Sequence, residues 1–207
     1  MNYPLLNKAA YENLAEEYEG RAQAVFDVTN RAVNYFANYI TPGGSVLDIG
    51  CAVGVAISIL SRKGFKVTGI EISPRMTKFA RKRNPGVKII VGDFLKTKFN
   101  KKLDAILAFA FIHLFPKSEA IKVLKRIQSI LKPGGVALLS STKSKVSKEG
   151  WEVKKDFNRK VRRFRKFWTE KEFREFLTDN GFKILAVKKY TDPFEKTWMD
   201  FVVQKHS

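Results

Sequence analysis

The stretch from Ser45 to Gly54, which reads S-V-L-D-I-G-C-A-V-G, constrains the fold of this chain more than any other. Its first half is an apolar run interrupted by one acid, Asp48, and continuous runs of this kind are typical of buried parallel strands. Gly50 and Gly54 indicate a turn that lies close to a ligand, because glycine adopts positive φ at little cost. The helix predicted from Val55 onward would direct its N-terminal amides at that turn. The stretch therefore predicts a nucleotide-type site.

The spacing of the glycines argues against a dinucleotide fingerprint. The pattern G-x-G-x-x-G requires glycines at 50, 52 and 55, where this chain has Gly50, Ala52 and Val55. A turn without those glycines is a poor cradle for a pyrophosphate. Taken alone, the stretch also fits an ordinary strand–turn–helix unit.

Length and composition bound the class of protein. A chain of 207 residues with 44% hydrophobic and 29% charged residues is typical of one soluble globular domain. The sequence contains no apolar run near the roughly 20 residues of a membrane span, and its first residues, M-N-Y-P-L-L-N-K, lack the apolar region of a secretory signal. The single cysteine, Cys51, excludes an internal disulfide, and no His/Cys cluster has metal-ligand spacing. We expect a cytoplasmic, metal-free protein.

The formal net charge of +19 is unusually high. It favours a polyanionic partner such as nucleic acid or an anionic membrane surface. A lysine-rich surface that is kept soluble by its charge explains the same number, so charge alone does not decide between these interpretations.

Beyond the glycine turn, predicted strands and helices alternate. Helical spacing covers residues 3–39 with a break at Gly20, and the region after 169 contains one helix and two strands with no helix between them. Alternation of this kind predicts a doubly wound parallel α/β sheet, and the closing strand pair should be antiparallel. We predict strands at 66–70, 87–91, 103–109, 136–140, 182–190 and 198–204, and helices at 55–62, 74–83, 117–131 and 170–180.

Three acids stand at the carboxyl ends of successive predicted strands: Asp48, Glu71 and Asp93. Ligands of open α/β sheets bind at this edge. A carboxylate at Glu71 can accept both ribose hydroxyls, and Asp93 can accept an adenine amine beside the apolar Phe94. The simpler interpretation is that each acid caps the helix that follows, but three acids in register with a glycine turn favour a binding site.

Consecutive segments of the chain resemble the motifs of class I S-adenosylmethionine (SAM)-dependent methyltransferases, of the small-molecule, methyltransferase type 11/12-like kind. The segments are V-L-D-I-G-C-A-V-G, V-T-G-I-E-I-S, V-G-D-F, L-D-A-I-L-A-F-A-F-I-H-L-F and L-K-P-G-G-V-A-L-L-S. Ala52 departs from the family's middle glycine, a small-for-small change. The resemblance implies a Rossmann-like seven-stranded sheet with an antiparallel last strand, SAM as cofactor and S-adenosylhomocysteine (SAH) as product.

The resemblance also implies which residues contact the cofactor. Asp48, Gly50 and Gly54 would surround the methionine moiety, Glu71 the ribose, and Asp93 with Phe94 the adenine. The remaining walls of the SAM site would be formed by Cys51, Ala52, Ile72, Gly92 and Phe109.

His113, Tyr11 and Tyr18 are the candidate catalytic residues. His113 follows the fourth strand and can take a proton near neutral pH, although it equally fits a packing role in its turn. Tyr11 and Tyr18 belong to Y-x-x-L-A-E-E-Y, which is similar to the helix that covers the SAM pocket in such enzymes. At this spacing both tyrosines also fit a core role.

Residues 143–166 carry eleven Lys or Arg with interleaved aromatics. Such a segment fits RNA phosphates and stacked bases, an acidic small molecule, an anionic membrane face, or a solvated mobile lid. We therefore divide a single 1–207 domain into a helical lid (1–41), a SAM-binding core (42–142), a basic insertion (143–168) and a closing unit (169–207).

The expected function is methyl transfer from SAM to an oxygen or nitrogen of a small-molecule acceptor. A tRNA or rRNA methyltransferase that uses the basic segment, and a SAM-binding protein without catalysis, stay open as alternatives. The sequence does not identify the acceptor or the oligomeric state.

Overall fold

The computed structural model describes residues 3–154 and 160–205. Within these ranges the helices are α1 (Tyr3–Asn13), α2 (Ala15–Gly20), α3 (Phe26–Ala37), α4 (Val55–Arg62), α5 (Pro74–Arg83), α6 (Lys117–Ile130) and α7 (Glu170–Asp179). A 3₁₀ turn, Ile112–Leu114, precedes α6. No helix in the described ranges combines the length and the apolarity needed to cross a membrane.

Seven strands form one sheet in the spatial order β3-β2-β1-β4-β5-β9-β8. Its strands are β1 (Ser45–Ile49), β2 (Lys66–Glu71), β3 (Lys88–Val91), β4 (Leu103–Ala108), β5 (Leu131–Thr142), β8 (Phe182–Thr191) and β9 (Thr197–Lys205). Strands β1 to β5 are parallel, and β9 is antiparallel to both of its neighbours. The predicted α/β fold, doubly wound with an antiparallel last strand, is confirmed.

Both faces of the sheet are covered, and β1 shows why its sequence is almost continuously apolar. Val46 packs in a layer with Phe36 of α3 and Leu60 of α4. Leu47 and Ile49 belong to the opposite layer, which includes residues of α6 and α7. Successive side chains of a strand alternate between faces, so a strand that is buried on both faces needs apolar residues at nearly every position.

Capping residues fix the beginnings of two helices. The side chain of Ser73 accepts a hydrogen bond from the amide of Met76 at 3.1 Å, and Pro74 is the first residue of α5. Thr169 caps α7 in the same way, with its Oγ1 3.1 Å from the amide of Glu172. Each cap satisfies a helix amide that lacks an intrahelical partner, which is why Ser and Thr are favoured at these positions.

The N-terminal region contains one more break than predicted. The sequence analysis places a break at Gly20, and the structure also interrupts the helix at Leu14, which has φ −102° and ψ 5°. The side chain of Leu14 is fully buried with Ala10 and Val161. The interruption brings this segment against a strand that lies far away in the sequence, so local periodicity did not reveal it.

Residues 132–135, which the sequence analysis leaves between the predicted helix 117–131 and the predicted strand 136–140, lie inside β5. Leu103 pairs with Leu131, and the next pair joins Ala105 to Val136, so residues 132–135 bulge out of the ladder. The helix predicted to reach residue 131 ends at Ile130. The prediction missed the first residue of β5 because Pro and Gly are strong turn signals even within a bulge.

The described residues of the basic insertion form a hairpin, which the sequence analysis did not predict. Strands β6 (Lys148–Lys154) and β7 (Val161–Phe167) pair antiparallel, and β7 packs against α1 and the 3₁₀ turn. Phe157, one of the interleaved aromatics, lies outside the described residues. The sequence of β7 does not show the alternation of apolar and polar residues that indicates a strand, because Lys and Arg residues occupy both of its faces.

Candidate active site

A cavity of about 280 Å³ opens at the carboxyl ends of the parallel strands, beneath α1 and β7. It brings together every residue that the sequence analysis selected. They are Tyr11, Tyr18, Asp48, Gly50, Cys51, Ala52, Gly54, Glu71, Ile72, Gly92, Asp93, Phe94, Phe109 and His113. Their placement is observed, whereas their individual roles stay predictions.

The turn after β1 brings main chain close to the cavity. Gly50, Ala52 and Gly54 all have positive φ, at 67°, 47° and 79°. A Cβ atom at Gly50 would lie 2.7 Å from the ring of Phe111, so this position admits only glycine without a shift of the ring. Ala52 adopts a left-handed conformation, which costs an alanine about 1–2 kcal/mol relative to glycine. The position that departs from the family's motif therefore has the backbone conformation that favours glycine.

Glu71 is 5% exposed at the end of β2 and holds this turn in place. Its Oε2 accepts a hydrogen bond from the amide of Ala52 at 3.0 Å, and its Oε1 accepts one from the amide of Ser73 at 2.9 Å. Burial raises the pKa of the carboxyl group, and the two amide bonds act in the opposite direction. The arrangement gives the carboxylate a fixed orientation in the wall of the cavity.

Asp48 lies beside Glu71 at the end of β1 and is 3% exposed. Burial, followed by the charge of Glu71, raises the pKa of Asp48 to about 8. The same burial, with the charges of both acids, raises the pKa of the Cys51 thiol. At neutral pH the Asp48 carboxyl is therefore largely protonated in the ligand-free protein, and Cys51 has no thiolate character that would make it a nucleophile.

Asp93 and Phe94 follow β3 and line the same cavity. One oxygen of Asp93 accepts a hydrogen bond from the amide of Leu95 at 2.9 Å, so the acid caps the next turn as well as facing the site. Phe94 is 4% exposed, and its ring meets Phe111 edge-on at a centroid distance of 6.1 Å. Asp93 therefore both caps the segment that follows β3 and lines the cavity, so the two roles considered for a strand-end acid are combined in one residue.

His113 lies in the 3₁₀ turn after β4 and is 3% exposed. Its Nδ1 is 3.4 Å from the hydroxyl oxygen of Ser141, near the end of β5. The imidazole lies 6.0 Å from the Trp198 ring, between centroids. These contacts orient the imidazole at the wall of the cavity, a geometry that suits both a base and a packing residue.

The N-terminal helices cover the cavity. The rings of Tyr11 and Tyr18 meet edge-on at 5.8 Å, and the hydroxyl of Tyr11 accepts a hydrogen bond from Arg163 at 3.4 Å. Asn7 joins the covering elements, because its Nδ2 donates to the carbonyl of Leu114 at 2.9 Å. Helix α1 is thus tied to β7 and to the turn that carries His113.

Sequence reasoning missed several residues of the cavity wall. Arg163 and Arg165 come from β7. The signal that could have found them is the strand period of two residues within 161–167, which places both on one face. Trp198 stacks on Phe109 at 5.7 Å, with 13° between the ring planes. It reaches the site through the pairing of β9 with β5, for which no local signal exists.

The residues present fit an adenosyl ligand with a cationic centre. Asp48, Glu71 and Asp93 provide carboxyl groups for hydroxyl, amine and ammonium donors, and Phe94 provides an apolar wall for a base. Among the residues that the structure describes, no group of three His, Cys, Asp or Glu side chains can hold a metal ion.

A family profile described as a methyltransferase domain matches residues 18–187. The chain belongs to the class I SAM-dependent methyltransferase family. The match covers the glycine turn, all three strand-end acids and the basic hairpin. The protein is therefore a SAM-dependent methyltransferase, and SAM is its cofactor.

Two relatives of this methyltransferase are named as methyltransferases, and the name of one of them gives an acceptor. An uncharacterized methyltransferase from Alkaliphilus oremlandii is 28% identical over 158 residues, which cover 76% of this chain and 67% of the relative. A malonyl-[acyl-carrier protein] O-methyltransferase from Serratia marcescens is 27% identical over 135 residues, covering 64% of this chain. The matched part is only 51% of that relative's length.

The methyltransferase also resembles solved structures. The 1,6-didemethyltoxoflavin-N1-methyltransferase of Burkholderia thailandensis, with bound 1,6-didemethyltoxoflavin and SAH, gives a TM-score of 0.73 at 17% identity. The superposition covers 96% of this chain and 89% of the other. At this identity the likeness is one of fold.

Proposed function

We propose that this methyltransferase transfers the methyl group of SAM to an oxygen or nitrogen of a small-molecule acceptor. The observation that carries the proposal is one covered cavity, lined at one end by Asp48, Glu71 and Asp93 and elsewhere by His113. The Serratia relative is named as an O-methyltransferase, which supports oxygen as the acceptor atom, and the cavity accommodates a nitrogen acceptor equally well.

For the cofactor, we propose that Glu71 binds the ribose hydroxyls, while Asp93 and Phe94 hold the adenine. Asp48 and the turn from Gly50 to Gly54 would surround the methionine moiety. The charge pattern supports this arrangement, because SAM carries a sulfonium and an ammonium group that favour nearby carboxylates. Cys51, Ala52, Ile72, Gly92 and Phe109 would form the remaining walls of the SAM site.

Bound SAM supplies an electrophilic methyl group on a sulfonium, and the leaving group is a neutral thioether that needs no acid catalyst. The protein's contribution is to align the acceptor with that methyl group and to exclude water, for which α1 and β7 provide the cover. Where the acceptor is a hydroxyl or an ammonium, a base must take its proton. We propose His113 for this role, with Ser141 orienting the ring through Nδ1. Tyr11 and Tyr18 would position the acceptor from above.

We further propose that the four parts of the chain act as one cytoplasmic domain. In this arrangement residues 1–41 are the lid, 42–142 the SAM-binding core, 143–168 the basic insertion and 169–207 the closing unit. Contacts from α1 to β7 and to α5 support a lid that rests on both the core and the insertion.

The experiment that tests the proposal is calorimetric titration with SAM, SAH and NAD. We expect saturable binding of both adenosyl ligands and none of NAD. Glu71→Ala should weaken SAH binding roughly ten- to hundredfold, because a charged hydrogen-bond partner contributes about 1.5–3 kcal/mol. The same loss is expected for Glu71→Gln, which keeps the shape of the side chain.

The matched control is Glu119→Ala, which removes a carboxylate of α6 whose described partner is Lys122. It should bind SAH like the wild type, and circular dichroism should show that all three variants are folded. Equal SAH affinity in folded Glu71 variants and wild type would contradict the cofactor assignment. Binding of SAM without methyl transfer to any tested acceptor would favour the non-catalytic alternative.

A further inference from the structure

Two guanidinium groups lie on one face of β7 and line the active-site cavity. Arg163 is 4% exposed and Arg165 is 7% exposed, whereas Arg162, which directly precedes Arg163, is exposed to solvent. Residues two apart in a strand share a face, so the hairpin directs both cations at the same space. Fully buried arginines are rare unless they are paired, and their partners therefore decide what they do.

The two arginines share one carboxylate. Arg163 donates from Nε and Nη2 to Oε1 of Glu152, at 3.3 and 3.1 Å. Arg165 donates from Nη1 to the same oxygen at 3.5 Å, and from Nη2 to the Thr142 hydroxyl at 2.7 Å. The Nε of Arg165 is buried and has no acceptor among the described residues. The pair thus carries one positive charge in excess and an unused donor.

Among the described residues, the acids that line the cavity form no ion pair with either arginine, whose carboxylate partner is Glu152. Asp192 instead accepts hydrogen bonds within its own loop, from the amides of Phe194 and Lys196 and from the indole of Trp198, at 2.8, 2.9 and 2.8 Å. Burial and then the charge of Arg163 lower the pKa of Arg165, although Glu152 opposes this shift. Burial also acts to lower the pKa of Arg163, but Tyr11, Tyr18 and Glu152 together raise it, so the less well compensated guanidinium is that of Arg165. A buried cation with an unsatisfied donor is costly, and an anion would relieve it.

The position of the pair separates it from the proposed ribose site. Thr142, which holds Arg165, ends β5, and Glu71 ends β2. Strand order places these ends three strand spacings apart, roughly 14 Å at about 4.8 Å per spacing. Ser141, which contacts His113, directly precedes Thr142. The arginines are therefore on the side of the cavity where the proposed base lies.

We propose that Arg163 and Arg165 form an anion-binding subsite for the methyl acceptor. The acceptor is then a small molecule with a carboxylate or phosphate group and an apolar body, which would lie against the stacked rings of Phe109 and Trp198. This inference rests on the proposed function. The anionic group is an anchor and not the methylated atom, because a carboxylate held by two guanidiniums is a weak nucleophile.

The test uses ¹⁵N NMR of the arginine Nε–H signals in the SAH-saturated protein at constant ionic strength. The probes are benzoate, phenyl phosphate and the neutral benzamide. We expect the Arg165 Nε–H signal to shift saturably with benzoate, with phenyl phosphate, or with both, and not with benzamide. The two anions distinguish a carboxylate from a phosphate anchor.

Variants of the two arginines distinguish a loss of anion binding from a loss of the folded structure. Arg163→Gln and Arg165→Gln should keep the affinity for SAH. Each should weaken binding of the anion roughly tenfold or more, as expected for a lost charged hydrogen bond. The matched control is Arg162→Gln, on the same strand, whose guanidinium lies 5.4 Å from the Trp151 ring; it should bind the anion like the wild type. Arg165→Lys keeps the charge and should retain part of the affinity.

Other outcomes overturn the inference. If SAH binds to the wild type and neither anion moves the Arg163 or Arg165 signals, the pair is structural. If SAH alone shifts both signals and the anions add nothing, the pair serves the carboxylate of the cofactor. If the wild type binds no SAH, the proposed function fails first, and the inference fails with it.

Discussion

Asp48 is almost completely buried at the end of β1, where burial and Glu71 raise its pKa to about 8. Between about pH 4 and pH 8 the folded protein keeps a proton that the unfolded chain has lost. The free energy of unfolding should therefore fall as the pH rises through this window. Asp48→Asn cannot lose this proton, so the variant should gain stability relative to wild type from pH 5 to pH 8.

Urea denaturation of ligand-free protein at pH 5, 6, 7 and 8 measures this difference. Other groups, such as Glu71, contribute to the pH dependence of both proteins, so the difference between the two curves isolates Asp48. Asp179→Asn, at an exposed position of α7, is the control and should follow the wild type. Parallel curves for wild type and Asp48→Asn would show that Asp48 titrates normally.

The glycine turn gives a second prediction, through a pair of opposite substitutions. Gly50→Ala places a Cβ atom at φ 67° and 2.7 Å from the Phe111 ring, so it should cost about 1–3 kcal/mol of stability and weaken SAH binding. Ala52→Gly relieves a left-handed alanine but adds freedom to the unfolded chain. It should change the free energy of unfolding by only about 0.5 kcal/mol.

Denaturant titration and SAH calorimetry on both variants check this pair. A Gly50→Ala protein as stable as the wild type would mean that Phe111 moves aside freely and that the turn tolerates a side chain. A large loss of stability in Ala52→Gly would mean that the alanine methyl group packs in the site.

At the scale of elements, Asn7 ties the lid helix α1 to the rest of the site. It is 5% exposed, donates to the carbonyl of Leu114 at 2.9 Å and accepts from the amide of Phe164 at 3.3 Å. Asn7→Ala leaves both main-chain groups without this partner, at a cost of about 1–3 kcal/mol. We expect faster hydrogen exchange in α1 and β7, including the Phe164 amide, with β1 and β2 unchanged.

Hydrogen exchange with mass-spectrometric detection reports these elements separately. Lys8→Ala changes the next residue of α1 and should leave the exchange pattern as in the wild type. Uniformly faster exchange in Asn7→Ala, including β1, would indicate loss of global stability and not a loosened lid.

The elements also show how far sequence reasoning reached. The strands of the seven-stranded sheet, the caps at Ser73 and Thr169 and the acids at strand ends were predictable, because each depends on residues within one turn or one strand. Arg163 and Trp198 were not, since they enter the site through pairing of β6 with β7 and of β9 with β5. The alternation in β7 was masked because Arg162 and Lys166 on its other face are also cations. The break at Leu14 likewise depends on a distant strand.

At the scale of the whole molecule, the net charge of +19 does not act through the basic hairpin alone. Arg163 and Arg165 face the cavity, and Lys166 is 3% exposed, with its ammonium 2.6 Å from the Ser147 hydroxyl and 3.0 Å from Glu172. These three cations are engaged inside the protein. The hairpin therefore presents a less basic surface than its sequence suggests, which weakens the case for an RNA clamp.

This distribution of charge predicts weak, non-specific binding of RNA. Fluorescence anisotropy should show tRNA binding at 50 mM salt that falls steeply by 200 mM, since affinity that comes from released counterions drops by roughly 10³–10⁵ when 6–10 phosphates are contacted. Double-stranded DNA of equal length should bind about as well, and radiolabelled SAM should give no methyl incorporation into tRNA. Binding that survives 200 mM salt, prefers tRNA over DNA and leads to methylation would instead establish the RNA methyltransferase alternative. In that case the anion that Arg163 and Arg165 hold would be a phosphate of the nucleic acid.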